Sequence, residues 1–235
     1  MPKRKRFAWR YRANKQLPEA IFRRTPPLTL KNGYGKPFIG IWKCDVKKFF
    51  DSVDHETLLK ILLLRIKDSI TFKLLKEVIG SYTTIPDRKV GMPIGNLTSQ
   101  IFANIYLNEL DRFVQHQLKP KAYLRYGDDF ILIGTEAGKL KFFRLQTIDF
   151  LNNELKLQVN PKSDKIIKTR QGLKLLGIKF WPSGRTLTKR NLSRTKEKLA
   201  AKNVSSYSGL IKKHGNKKQI KHFNWLVYEK LLSDF

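Results

Sequence analysis

Two short β-prone runs on either side of a Gly-Asp-Asp triplet constrain the fold more than any other feature of this sequence. The runs are Tyr123–Tyr126 and Phe130–Ile133, and the triplet between them is Gly127, Asp128 and Asp129. Such a pattern predicts a β-hairpin, because glycine supplies the positive φ that a tight connection needs. Aspartate is also common in turns for structural reasons alone, so the triplet by itself leaves a structural and a functional interpretation open.

A third carboxylate stands at the end of another apolar run. Ile39–Val46 has the pattern of a buried strand, and Asp45 lies at its end. If this strand is a neighbour of the hairpin, Asp45, Asp128 and Asp129 converge. Phosphoryl transfer with two Mg²⁺ ions uses such carboxylates, because Mg²⁺ prefers hard oxygen ligands and leaves further positions for phosphate and water. We therefore predict a two-metal site, with Mn²⁺ as a substitute.

The charge of the chain indicates the class of partner. Lys and Arg number 48 against 19 Asp and Glu, which gives a net charge of +29. A polyanion relieves the self-repulsion of so basic a chain, so nucleic acid is the expected partner; a membrane-surface or ribosomal-type basic protein is the alternative. Apolar runs are too short for a membrane span, and no membrane partner is expected. The single cysteine, Cys44, excludes an internal disulfide and fits a cytoplasmic protein.

The order of predicted elements indicates an α+β fold. Asp54 has the character of an N-cap before a helix over Leu58–Ile66, and another helix begins near Thr98 or Ser99. A further helix is predicted over 139–155. The order β-α-α-ββ-α-β then predicts a small antiparallel sheet backed by helices. A second hairpin, with arms Leu173–Trp181 and Arg185–Thr188, precedes a basic helical end.

Four motifs in a fixed order resemble those of reverse transcriptases. Tyr126–Asp129 resembles the Tyr-x-Asp-Asp box, and Lys43–His55 resembles the first catalytic motif in its bacterial group II intron-like version. Gly91–Gln100 is similar to the template and nucleotide loop, and Leu175–Gly177 is similar to the primer grip. Order and spacing agree over roughly residues 40–190, and four ordered motifs are far more specific than any one of them.

The resemblance implies an RNA-directed DNA polymerase that consists of a palm, reduced fingers and a small helical thumb. Residues 1–37 would form a basic segment with partial fingers, residues 38–188 the palm and residues 189–235 the basic, thumb-like segment. Asp45 and Asp128 would hold both metal ions. The implied partners are an RNA template, an RNA/DNA primer duplex and a dNTP.

The resemblance also assigns substrate contacts. Phe50 would occupy the steric-gate position that excludes a ribose 2′-OH, although one ring of the Phe49–Phe50 pair should lie in the core. Gly95 and Gln100 would lie in the loop that approaches the incoming base pair. Lys162 or Lys165 would protonate the pyrophosphate; the alternative for each is a solvated lysine. The candidate nucleic-acid contacts are Arg10, Arg12, Arg23, Arg24, Lys189 and Arg190.

Departures from the family pattern leave alternatives open. The loop reads Pro93-Ile94-Gly95 and Ser99-Gln100 instead of Pro-Gln-Gly and Ser-Pro, a pattern that resembles diversity-generating retroelements. The segment before Asp45 is short for fingers, and three explanations stay open: a truncated chain, an accessory protein or separate fingers subunit, and a degenerate remnant. The alternatives are a catalytically impaired RNA-binding remnant or maturase-like partner subunit, and an RNA-dependent RNA polymerase, in which Gly127 is typical.

Overall fold

The computed structural model describes residues 40–181 and 184–233, which form two compact units. Among the described residues, 40–171 belong to the first unit and 172–233 to the second. No helix within these residues is both long and apolar enough to cross a membrane.

Several sequence predictions fall on residues that the structure does not describe. The partial fingers predicted over residues 1–37 lie outside the described residues, as do Arg10, Arg12, Arg23 and Arg24. These assignments, and the domain limits inferred from the sequence, stay predictions.

The first unit is built on a four-stranded antiparallel sheet. Its strands are β1 (Gly40–Asp45), β2 (Ala122–Tyr126), β3 (Asp129–Gly134) and β4 (Lys165–Lys168). Their order across the sheet is β2-β3-β1-β4, so β1 and β3 occupy the centre. The hairpin and the strand that ends at Asp45 are therefore direct neighbours.

Within residues 40–171, five α-helices accompany this sheet: α1 (Phe49–Ser52), α2 (His55–Leu63), α3 (Ser69–Gly80), α4 (Leu97–Phe113) and α5 (Ala137–Asn153). A π-helical segment extends α4, and a short 3₁₀ turn follows β4; they span Val114–Leu118 and Thr169–Gln171. The helices and antiparallel strands confirm the predicted α+β class. The sequence analysis did not identify α3.

One hydrophobic cluster of the first unit lies on one face of the sheet, and Ile41, Ile131 and Ile133 are buried on the other face. Trp42 of β1 and Phe130 of β3 are buried in the cluster, with their ring centroids 5.4 Å apart in an edge-on arrangement. Strand residues two apart share a face, and Cys44 therefore joins the same cluster. Apolar side chains of α2, α4 and α5 cover this face, including Leu58, Leu107, Leu110, Leu140 and Leu151.

Side-chain caps fix where two of these helices begin. The Asp54 carboxylate accepts a hydrogen bond from the Thr57 amide at 2.8 Å, which confirms the predicted N-cap of α2. The N-cap predicted for α4, Thr98 or Ser99, was wrong by two or three residues. Asn96 is its N-cap, because the Asn96 amide oxygen accepts from the Thr98 amide at 3.1 Å and satisfies a donor that would otherwise lack a partner.

In its described residues, 172–181 and 184–233, the second unit combines three short strands with three α-helices. Strands β5 (Leu173–Leu175), β6 (Ile178–Trp181) and β7 (Gly184–Leu187) form an antiparallel sheet in that order. Helices α6 (Lys189–Lys198), α7 (Val204–His214) and α8 (Lys217–Ser233) follow, with a 3₁₀ turn at Ala201–Asn203. Its core consists of Leu187, Leu199, Ile211, Phe223 and Leu226.

The predicted strand Leu173–Trp181 is in fact two strands. Leu176 and Gly177 connect them in a two-residue turn and have φ angles of 49° and 77°. Positive φ at both central residues is the signature of a type I′ hairpin turn. A β-prone sequence pattern hid this turn because Leu176 is an atypical residue for a left-handed position.

Candidate active site

Two of the predicted catalytic carboxylates lie opposite each other at the end of the central strands. Asp45 ends β1, and Asp129 begins β3 as its partner in the antiparallel register. Directly opposed residues project on the same face, a few ångströms apart. The Lys43 ammonium lies 3.5 Å from Asp129 Oδ1 and partly balances the negative charge.

Asp128 is a third carboxylate in the turn next to this pair. It occupies the connection between β2 and β3 after Gly127, whose φ of 62° is the conformation that favours glycine at this position. Burial raises the pKa of Asp128, and the negative charges of Asp129 and Asp45 raise it further, against a backbone hydrogen bond that lowers it. The three carboxylates thus interact electrostatically.

Arg125 fastens this turn to α4. Its Nε and Nη2 atoms donate to the two carboxylate oxygens of Asp111 at 2.7 and 2.6 Å, and its Nη1 donates to the Gly127 carbonyl at 3.0 Å. The Tyr123 hydroxyl also donates to Asp111 Oδ1, at 2.7 Å. The turn that carries Asp128 is therefore braced by a partly buried ion pair with bidentate geometry, the strongest arrangement of this kind.

The loop that contains the candidate lysine Lys162 also holds Asp45. The Ser163 hydroxyl accepts from the Asp45 amide at 3.1 Å and forms a short hydrogen bond with Asp45 Oδ1. The Asn160 side chain donates from Nδ2 to the other Asp45 carboxylate oxygen at 3.4 Å. The backbone N–H of Asn160 donates to the Asp45 carbonyl at 3.0 Å. Asn160 begins an Asn-Pro turn, and this turn-forming dipeptide is the local signal that could have drawn attention to the loop.

Asp164 anchors the same loop to the core. The indole Nε1 of buried Trp42 donates to Asp164 Oδ1 at 2.8 Å, and the Arg144 guanidinium forms a two-pronged ion pair with the Asp164 carboxylate. The hydrogen bond from Arg144 lowers the pKa of Asp164; burial opposes this effect, and the bond from Trp42 reinforces it. Burial also raises the pKa of the neighbouring Cys44 thiol to about 12, so this cysteine is a neutral packing residue.

The proposed steric gate lies beside the candidate nucleotide loop. Phe49 is the ring in the core, at 3% exposure, whereas Phe50 is only partly buried. The Phe50 carbonyl accepts from the Met92 amide at 2.7 Å, which ties α1 to the loop that contains Gly95. Buried His55 strengthens the same link through a 2.7 Å hydrogen bond between its Nε2 and the Gly91 carbonyl. This contact gives His55 a structural role.

The remaining predicted substrate contacts occupy exposed positions. Gly95 has a φ of 92° and open space around its Cα, and Gln100 is exposed on the first turns of α4. Lys162 is exposed, and its amide donates to Asn160 Oδ1 at 3.1 Å. Lys165 pairs with Lys43 across the β1–β4 ladder. Among the described residues, neither Lys162 nor Lys165 forms a hydrogen bond or an ion pair with Asp45, Asp128 or Asp129.

Two predicted nucleic-acid contacts lie in the second unit. Lys189 and Arg190 are the first residues of α6, and both are exposed. Basic side chains at an exposed position suit contact with phosphate, but their role stays a prediction.

The chemistry of the carboxylates suits Mg²⁺, although residues 40–181 and 184–233 contain no group of three or more His, Cys, Asp or Glu side chains arranged to hold a metal ion. Nucleotide-bound Mg²⁺ takes one or two carboxylates and completes its shell with phosphate oxygens and water, so a full protein cage is unnecessary. Asp45 and Asp128 supply hard oxygen donors whose mutual repulsion a cation would relieve. The residues present therefore fit such ions as ligands shared with a substrate.

Comparison with known proteins gives a consistent family. The model of a family described as reverse transcriptase (RNA-dependent DNA polymerase) matches residues 15–180. Protein YkfC of Escherichia coli (strain K12) is 29% identical over 173 residues, which cover 57% of this chain and 44% of that protein. The group II intron-encoded protein LtrA of Lactococcus lactis subsp. cremoris is 41% identical over 81 residues, which cover 33% of this chain and 13% of LtrA.

Solved structures support the same fold. Apo telomerase from Candida tropicalis superimposes with a TM-score of 0.58 at 15% identity, over 94% of this chain and 46% of that chain. Telomerase from Candida albicans, in complex with a fragment of telomeric RNA, gives a TM-score of 0.55 at 13% identity, over 92% and 42% of the two chains. At this identity the likeness shows the fold alone. The chain spans less than half the length of each of these relatives.

Proposed function

Since this chain belongs to the reverse transcriptase family, we propose that it is an RNA-directed DNA polymerase that extends a primer on an RNA template by two-metal nucleotidyl transfer. One observation carries the proposal. Asp45 and Asp129 are partners at the end of the central strands, and Asp128 interacts with both from the adjoining turn. The negative charges of Asp129 and Asp45 raise the pKa of Asp128, and bound cations would relieve this repulsion.

In this proposal Asp45 and Asp128 hold the metal ions, and Asp129 lies beside them. Two Mg²⁺ ions, when bound, would lower the pKa of the primer 3′-hydroxyl and neutralise the charge of the leaving pyrophosphate. The chain itself contributes position and charge, which account for most of the catalysis in phosphoryl transfer. Ser163 and Asn160 orient the Asp45 carboxylate, and Arg125 holds the turn that carries Asp128.

Nucleotide selection is assigned to the region around Phe50. Its ring would occlude a 2′-hydroxyl, and the open space at Gly95 would allow the backbone to approach the base pair. Lys162 or Lys165 would donate a proton to the pyrophosphate. The loop sequence favours a diversity-generating retroelement, whereas the relative LtrA is encoded by a group II intron. The assignment to a diversity-generating retroelement is therefore the most specific claim of the proposal.

Primer extension on an RNA template tests the proposal. Wild-type protein should extend a DNA primer with dNTPs in Mg²⁺, and Asp128→Asn should abolish extension while it leaves primer–template binding intact, because phosphate contacts with Lys and Arg dominate affinity. Asp149→Asn is the matched control: this aspartate is exposed on α5, and extension should persist.

The outcomes separate the alternatives. Equal use of rNTPs and dNTPs by the wild type would favour an RNA-dependent RNA polymerase. Failure to extend with either Mg²⁺ or Mn²⁺, at undiminished binding, would favour an RNA-binding remnant that needs a partner subunit. Equal loss of binding and extension in Asp128→Asn would mean that the aspartate is structural.

A further inference from the structure

Helix α8 has one face in the core of the second unit and one face in solvent. Phe223 and Leu226 are buried at 3% and 8% exposure, packed with Leu187, Leu199 and Ile211. The opposite face leaves Trp225 51% exposed and Tyr228 63% exposed. Rings of this size are costly to leave in water, and the core of the unit does not account for them.

These exposed rings form a continuous stripe. His222, Trp225 and Tyr228 follow one another at intervals of three residues, which places them as neighbours along one side of a helix. The imidazole of His222 stacks on the Trp225 indole, with centroids 5.8 Å apart and planes inclined by 21°. Single apolar residues are normal on a protein surface, but here three rings follow one another at helical spacing and two of them are stacked.

Positive charge surrounds this aromatic stripe of His222, Trp225 and Tyr228. Lys217, Lys218 and Lys221 are exposed on the same helix and flank the rings, and Glu229 is the one acidic neighbour on α8 among the described residues. A membrane-surface helix would need a broad apolar face in contact with solvent, whereas lysines and Asn224 interrupt the exposed side of α8. Flat rings between lysines suit a flexible polyanion with exposed bases.

We propose that the aromatic stripe binds unpaired bases of an RNA strand by stacking, while Lys218 and Lys221 contact its phosphates. A duplex hides the faces of its bases except at the ends, so the surface would select single-stranded RNA over duplex. The assignment to RNA rather than DNA rests on the proposed function. The stacking itself requires no polymerase activity.

Equilibrium binding without metal or dNTP tests the proposal, with fluorescently labelled single-stranded RNA and a long blunt RNA duplex as probes. Trp225→Ala should weaken binding of the single strand about 5- to 150-fold, the range expected for the loss of one stacked base, and that of the duplex less than about twofold. Trp225→Phe should retain most of the affinity. Circular dichroism should show the same melting temperature for all variants, since Trp225 is half exposed.

Salt dependence separates stacking from charge. Trp225→Ala should shift log Kd for the single strand without changing its slope against log salt. Lys221→Gln should reduce that slope by about 0.7, the value for one phosphate contact on a single strand. Phe142→Ala is the matched control, because Phe142 is an equally exposed ring, at 54%, on α5 of the first unit; it should leave both quantities unchanged.

Three outcomes would overturn the proposal. An equal loss on single strand and duplex would mean that Trp225 supports a duplex contact, and an unchanged single-strand affinity would leave the rings to a protein or membrane partner. A loss confined to single-stranded DNA of the same sequence would exclude RNA. The same assays with Asp128→Asn separate this proposal from the proposed function, because stacking should persist in a variant that cannot extend a primer.

Discussion

Replacement of Asp164 by alanine should destabilise the first unit by roughly 2–4 kcal/mol. Trp42 is fully buried, and Asp164 Oδ1 is the acceptor for its indole N–H. Loss of that acceptor leaves a buried donor unsatisfied, which costs about 1–3 kcal/mol. The Arg144 side chain is 34% exposed, so solvent screening limits the contribution of its ion pair to about 1 kcal/mol.

Asp164→Asn is the matched variant, because it keeps an acceptor for Trp42 and removes the charge that Arg144 contacts. It should cost about 1 kcal/mol in the free energy of unfolding at neutral pH, measured by urea denaturation. The difference between the alanine and asparagine variants then reports the Trp42 hydrogen bond. Equal losses in the two variants would refute the reasoning, since the acceptor would contribute nothing.

The charge component should depend on pH in a defined direction. The pKa of Asp164 is lowered in the folded protein by Arg144 first, then by Trp42. Its stabilisation is therefore present above the unfolded value of about 3.9 and is lost as the pH falls through the lower folded pKa. The stability gap between wild type and Asp164→Asn should shrink from about pH 5 downwards. A gap that stays constant into strong acid would show that the ion pair does not stabilise the fold.

Three further predictions address the site and the second unit. Ser163→Ala should lower kcat of primer extension about 10- to 100-fold with little change in template Kd, in line with other groups that orient a metal ligand, and Ser163→Thr should restore part of it. Phe50→Ala should raise the use of rNTPs relative to dNTPs in single-nucleotide extension, whereas Phe49→Ala should show only a loss of roughly 3–5 kcal/mol in stability. Gly177→Ala should lower the thermal midpoint, because the added Cβ would meet the Asn191 side chain at 2.1 Å and φ is +77°; an unchanged midpoint would show that the turn relaxes.

Local sequence patterns sufficed for the elements that frame the site. The glycine-centred hairpin and the strand that ends at Asp45 follow from short-range chemistry, and so does the Asp54 cap of α2. Their mutual contact required the additional assumption that β1 and β3 are neighbours, which the antiparallel register shows. The strands, the hairpin and the helix cap could therefore be predicted because each depends on residues close in sequence.

The contacts that support the site could not be predicted, because they join residues that are far apart in the sequence. Ser163 and Asp45 are 118 positions apart, and no periodicity connects a serine in a loop to a carboxylate in a strand. Arg125 and Asp111 belong to separate elements, and only the fold brings them together. Helix α3 was missed although its sequence is apolar; only Ile79 of its side chains is buried, and Ile70, Leu74 and Val78 are exposed.

Helix α4 acts as a rigid spacer between two parts of the site. Its first turn follows the loop with Gly95, and Asp111 near its other end holds Arg125 and hence the Asp128 turn. Leu97 and Asp111 are separated by about 21 Å of helix at 1.5 Å per residue. A single residue inserted midway would rotate Asp111 by about 100° and release Arg125. The site should therefore tolerate substitutions on the exposed face of α4 but not a change in the number of residues between Leu97 and Asp111.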